Sequence, residues 1–201
     1  MKQIAVIGAG TMGLGIAHIM AQYGLQVSLI DLSEKILIKS KKIISINIDR
    51  QIRKGVINEE QKKHILSNIL FTKEFNESVK NADLIVEAVP ENFELKKNII
   101  KNLDSLCNNN VIISSNTSSL SISSLADKTH HPDRIIGMHF MNPVPIMPLV
   151  EIVVGNSTSE KTIDSIKVLT NKINKTPLVV RDSPGFVSNR ILLPMINEAI
   201  E

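Results

Sequence analysis

The sequence predicts an α/β protein with a mainly parallel sheet covered by helices on both faces. Three observations carry this. Short runs rich in Ile and Val alternate with longer stretches of helical period, the rhythm of strand–helix–strand units. Runs such as "QIAVI" and "DLIVEA" are apolar at consecutive positions, as strands buried on both faces are. A glycine-rich turn in "AVIGAGTMGLGIA" joins the first such run to the first helical stretch.

In chain order, the first strand is expected over 3–7, the first helix over 12–23 and the second strand over 26–31. Gly8, Gly10 and Gly13 stand between them in G-x-G-x-x-G spacing, followed by Thr11 and Met12 within the loop and helix start. The pattern alone is weak, but its position after a strand and at a helix start makes it a dinucleotide fingerprint of the Rossmann type. The glycines allow a tight turn and close backbone approach, and the helix N-terminus offers free N–H groups to a pyrophosphate. Asp31 ends the second strand eighteen residues after Gly13. A carboxylate there accepts from both ribose hydroxyls and repels a 2′-phosphate, which favours NAD over NADP. Flavin sites use a similar fingerprint and compete on this evidence alone.

Helices over 33–54 and 59–67 come next, and residues 35–63 hold nine basic side chains against three acids. That excess suits a solvated face or a small phosphorylated ligand. Nucleic acid is not expected, because the six aromatics of the chain do not interleave with these lysines. A strand over 68–72 and another over 83–88 lead to "VPENFELKK", which puts Glu91 and Lys96 at a strand exit and early in a helix over 92–106. A strand over 111–114 leads to "SSNTSSLSI", with Asn116 and Ser118, and then to a helix over 121–128. Each of these polar residues has a plain structural role open to it: Asn92, Ser118 or Ser119 can cap a helix, and Glu91 and Lys96 can be exposed neighbours. Gathered beyond the carboxyl ends of strands, beside a dinucleotide loop, they favour a ligand site.

A strand over 135–138 precedes His139, and a strand over 149–154 contains Glu151, a rare charge in the apolar run "PLVEIVV". Burying a carboxylate without a partner costs several kcal/mol, and His139 is the nearest candidate in sequence. A carboxylate on one ring nitrogen fixes the tautomer and leaves the other nitrogen for proton transfer, as alcohol oxidation beside a nicotinamide requires. A helix over 159–173 and a strand over 177–181 complete the alternation. "RDSPGF" then breaks the chain, and a new amphipathic helix begins near residue 186. The expected division is a dinucleotide-binding domain over 1–183 and, over 184–201, the first helix of a truncated, all-helical second domain.

With 43% hydrophobic and 21% charged residues the chain can bury a sizeable core, and no apolar run reaches the length of a membrane span. The N-terminus enters a strand pattern without a leader, and the single cysteine, Cys107, suits a reducing compartment, here the cytoplasm. No metal cluster stands out.

Five segments in order, "GAGTMGLGIA", "AVPEN", "SSNTSSLSI", "HFMNPVPIMPLVE" and "DSPGFVSNR", resemble the L-3-hydroxyacyl-CoA dehydrogenases over essentially the whole chain. "RKGVINEEQKKHIL" is similar to the bacterial 3-hydroxybutyryl-CoA branch. The resemblance implies an NAD-dependent oxidoreductase interconverting (S)-3-hydroxyacyl-CoA and 3-oxoacyl-CoA. It implies His139 as acid/base, Glu151 as its orienting partner, and Ser118 and Asn189 as hydrogen-bonding groups near the substrate's 3-oxygen. Glu91, Lys96 and Asn116, with Ser118, would line the cofactor site, and Lys54 and Asn47 would meet the CoA phosphates. A homodimer is implied for full-length members. The family's "HFFNP" reads "HFMNP" here, with Met141 as an apolar replacement. The alternatives are a non-catalytic NAD-binding module, which needs the glycines and Asp31 but no His139–Glu151 pair, and a related dehydrogenase acting on a sugar acid.

Overall fold

The computed structural model describes residues 1–200. Its frame is one eight-stranded sheet: β1 Gln3–Ile7, β2 Gln26–Ile30, β3 Ile69–Thr72, β4 Leu84–Glu87, β5 Ile112–Ser115, β6 Ile135–Phe140, β7 Leu149–Val154 and β8 Thr176–Arg181. The strands lie in the order β3-β2-β1-β4-β5-β6-β7-β8, and all pairs are parallel except β6 with β7. The helices are α1 Thr11–Gln22, α2 Glu34–Arg53, α3 Glu59–Ser67, α4 Phe75–Lys80, α5 Phe93–Leu106, α6 Ile122–Ala126, α7 Glu160–Lys172 and α8 Ser188–Ile200.

The alternating pleat splits the core in two. Ile4 and Val6 of β1 join Ile16, Ile19 and Met20 of α1, with α2, α3 and α7, on one side of the sheet. Ala5 and Ile7 join Ile100 and Leu103 of α5, with α6, on the other. Because successive strand residues point to opposite faces, a strand wedged between two helical layers has to be apolar throughout. Side-chain caps set the helix starts: Ser33 for α2, Asn92 for α5, Ser121 for α6 and Ser159 for α7. Asn58 forms a reciprocal capping box with Gln61 at α3. α1 has no side-chain cap, so its first N–H groups are left facing the glycine loop.

Two features depart from expectation. α4, only six residues long, is too short to show a helical period and was not foreseen. β6 and β7 form the antiparallel pair of the mainly parallel sheet, because only residues 141–148 join them. A parallel crossover takes a dozen or more residues, so the short link forces the chain to turn back. β6 also continues to Phe140, which puts His139 inside the strand rather than after it.

α8 contributes no buried side chain. Leu193, Met195 and Ile200 on it are 60%, 64% and 79% exposed. No helix among the described residues is long and apolar enough to cross a membrane.

Candidate active site

The antiparallel register sets His139 directly opposite Glu151. The His139 Nδ1–Glu151 Oε2 distance is 2.7 Å, and the carboxylate is fully buried while the imidazole is nearly so. The other carboxylate oxygen, Oε1, accepts from the backbone N–H groups of Val187 and Ser188 at 3.0 and 2.8 Å. Burial alone pushes the Glu151 carboxyl up, but the bonds from His139, Ser188 and Val187 outweigh it and hold the group below the ordinary carboxylate range. The Phe186 ring packs at 5.8 Å from the imidazole, centroid to centroid. His139 Nε2 has no hydrogen-bond partner among the described residues, and the ring lines a cleft of about 340 Å³.

Met12, Glu91, Lys96, Asn116 and Ser118 line that cleft with His139, and Met141 and Asn142 close it from the β6–β7 link. Four elements supply these residues: the start of α1, the exit of β4 into α5, the exit of β5 and the end of β6. Asn116 Oδ1 accepts from the Phe140 N–H at 3.0 Å, tying the β5 loop to the end of β6. Glu91 is not a loose surface neighbour: it accepts from Thr117 Oγ1, from Ser118 N at 3.0 Å and from Ser119 Oγ at 3.3 Å. Burial raises the Glu91 carboxyl, yet Thr117, the Lys96 ammonium and Ser118 together hold it below its ordinary value. Asn189 Nδ2 donates to the Ser118 carbonyl at 3.0 Å, so the start of α8 meets the β5 loop. Ser118 caps no helix; Ser121 does that for α6. Asn92, by contrast, does cap α5, as its plain reading has it.

Met12, which lines the cleft, belongs to the glycine fingerprint at the start of α1. Gly8 has φ +96°, and a Cβ there would lie 2.6 Å from the Ala88 carbonyl oxygen; at Gly13 it would lie 1.8 Å from that of Gly8. Gly10 has open space where its Cβ would be. The Asp31 carboxylate accepts from Ala9 N and Ser33 N, each at 2.9 Å, which holds it beside the loop. Ser40 Oγ, buried on α2, reaches the Ala9 carbonyl from below at 2.6 Å. A turn that excludes side chains where the backbone folds on itself, an open edge at Gly10, uncapped helix N–H groups and an adjacent carboxylate suit a dinucleotide: pyrophosphate at the loop, ribose at Asp31.

Lys54, which caps the C-terminus of α2, and Asn47 on the same helix are not among the cleft-lining residues. Asn47 Oδ1 accepts from Arg50 Nη1 at 3.4 Å. Reasoning from the sequence passed over Glu87, Ser115, Thr117 and Lys175. Lys175, whose ammonium burial pulls below its usual range, donates to the carbonyls of Val144 and Met147 at 2.7 Å each and so holds the β6–β7 link. Glu87 carried the same signal that exposed Glu151: an acid inside an apolar strand.

The family description "3-hydroxyacyl-CoA dehydrogenase, NAD binding domain" matches residues 3–183. The chain is 45% identical over 198 residues to a 3-hydroxybutyryl-CoA dehydrogenase of Clostridioides difficile, covering 98% of this chain and 70% of that protein. It is 41% identical to the mitochondrial hydroxyacyl-coenzyme A dehydrogenase of Homo sapiens, covering all of this chain and 65% of that one. Among solved structures, the (S)-3-hydroxybutyryl-CoA dehydrogenase of Ralstonia eutropha superposes with a TM-score of 0.95 at 44% identity, over 98% of this chain and 70% of that one.

Proposed function

Because the chain belongs to the 3-hydroxyacyl-CoA dehydrogenase family, whose NAD-binding domain it carries, we propose that it interconverts an (S)-3-hydroxyacyl-CoA, 3-hydroxybutyryl-CoA in the first place, and the matching 3-oxoacyl-CoA. NAD, when bound, supplies the hydride acceptor at its nicotinamide ring. The chain does the rest. His139 takes the proton of the 3-hydroxyl on its free Nε2 during oxidation and returns it during reduction. Glu151 keeps the ring in the tautomer with Nδ1–H and balances the imidazolium charge once the proton has moved. The Ser118 hydroxyl and Asn189 orient the 3-oxygen, and Asn116, Glu91 and Lys96 shape the nicotinamide end of the cleft. The glycine loop and Asp31 hold pyrophosphate and ribose, and Lys54 with Asn47 on α2 meets the CoA phosphates.

The observation that supports this reading most is the His139–Glu151 pair, set in register at the wall of a cleft that Met12 of the glycine fingerprint also lines. The single cysteine fits a reducing cytoplasm. Residues 184–201 read as the opening of a second, helical unit through which two copies pair. The test is NADH oxidation with acetoacetyl-CoA, run on the wild type and on His139→Gln with NADH binding measured alongside. The expected result is turnover in the wild type, turnover lowered about 10²–10⁴-fold in the variant and NADH binding in both. Undiminished turnover in His139→Gln overturns the assignment.

A further inference from the structure

The turn between β8 and α8 breaks the secondary structure, yet it is fastened to the body of the protein at both ends and in the middle. At its start the Asp182 carboxylate accepts from Ser121 Oγ at 2.8 Å, from Ile122 N at 3.0 Å and from Ser123 N at 2.8 Å, which moors it to the first turn of α6. At its end Asn189 holds the Ser118 carbonyl. Between them Phe186 is buried with φ +51°, its ring against the His139 imidazole. A residue other than glycine keeps such a backbone only where its surroundings impose it. The next two N–H groups, of Val187 and Ser188, both point at Glu151 Oε1. Val187 O already accepts from Ile191 N, so Ser188 stands in the first turn of α8, where N–H groups have no partner within the helix. The carboxylate supplies that partner.

Glu151 is thus gripped from two sides, by the helix start on Oε1 and by His139 Nδ1 on Oε2. A carboxylate free to turn about its last bond would lose the ring nitrogen, whereas one with Oε1 fixed by two amides holds Oε2 in a single place. We propose that Ser188 is a positioning residue: its amide, with that of Val187, fixes the Glu151 carboxylate and through it the orientation of the His139 ring. The inference rests on the acid/base role given to His139 above. Ser188 is not among the residues that line the cleft, so it acts through Glu151. With one of the two amides gone the carboxylate tilts, and the proton carrier is less often aimed into the cleft. Turnover falls, while the groups that bind NADH and the thioester stay where they are.

Steady-state reduction of acetoacetyl-CoA and NADH binding are measured on the full chain for the wild type, Ser188→Ala and Ser188→Pro. Proline suits the first position of a helix and removes the N–H there. Both variants lack the hydroxyl, so the amide bond to Glu151 is what separates them. The kcat of Ser188→Pro should fall about tenfold below that of Ser188→Ala with KM and NADH affinity unchanged, the scale on which losing a group that orients a reacting side chain is felt. Asn189 is next in the chain, so the two variants are also compared in an Asn189→Ala background, where the ratio should persist. Equal kcat in the two variants, a ratio that vanishes without Asn189, or NADH affinity falling together with kcat overturns the proposal. Should Ser188→Pro not fold, Gly185→Ala decides in the same two backgrounds. At φ +74°, with its Cβ 3.2 Å from Arg190 N, it strains the turn that presents both amides. The same fall in kcat at unchanged NADH affinity is expected, and an unchanged kcat overturns the proposal. A wild type that binds NADH but does not turn over acetoacetyl-CoA sinks the functional reading itself, which is a separate outcome.

Discussion

The acid/base pair is the smallest unit of the functional reading. General acid–base catalysis contributes about 10²–10⁴-fold, so His139→Gln should cost that much in kcat with NADH affinity almost unchanged. His18 poses a different problem at the same scale. It is fully buried in α1, neither ring nitrogen finds a partner among the described residues, and burial drives its pKa down to about 4. Below its unfolded value of 6.5 the unfolded chain takes up a proton that the folded one refuses, so stability falls as pH drops from about 6.5 toward 4. Between pH 7 and pH 5 the loss should be about 2 kcal/mol, and His18→Met should remove most of it in urea unfolding at the two pH values. A variant as acid-sensitive as the wild type would show that other groups carry the loss. Glu151 was legible because a charge in "PLVEIVV" demands a partner, and a histidine lay twelve positions away. Glu87 was open to the same logic. It escaped because its partner, Lys96, looked like an exposed residue in the first turns of α5, whereas the helix turns it inward.

Among the elements, the glycine turn separates folding from binding. Gly13→Ala drives a methyl into the Gly8 carbonyl and should unfold or strongly destabilise the protein, whereas Gly10→Ala meets nothing within 4 Å. Gly10→Ala should therefore stay within about 0.5 kcal/mol of wild-type stability. It should nonetheless weaken NADH binding, because the methyl occupies the edge that a pyrophosphate approaches. Denaturation and NADH titration of the same sample separate the two effects. On α2, Lys54→Ala should weaken the CoA thioester far more than NADH; equal weakening of both would remove that helix from CoA recognition. The strands and long helices were readable from period and composition, to within a few residues at their ends. What escaped depended on distance in space. The reversal between β6 and β7 follows from a short link, and without that reversal the cross-strand pairing of His139 with Glu151 has no register to stand on.

At the level of the whole molecule, the alternation of strands and helices made a mainly parallel sheet legible, but not its strand order, since alternating chains adopt more than one. The sequence also placed a boundary at "RDSPGF" and a helix after it, and α8 stands there with its apolar residues exposed. Because no side chain of α8 is buried among the described residues, Leu193→Gln and Ile196→Gln should each change stability by no more than about 0.5 kcal/mol in urea titration. A substantially larger loss would mean that the helix packs on the body of the protein. Yet its first residues are anything but loose: Val187 and Ser188 give their amides to Glu151, and Asn189 grips the Ser118 carbonyl. The segment is tethered at one end, at the acid behind the imidazole, and bare at the other. Its base is moored to Glu151 Oε1, while the other oxygen of the same carboxylate faces the His139 ring.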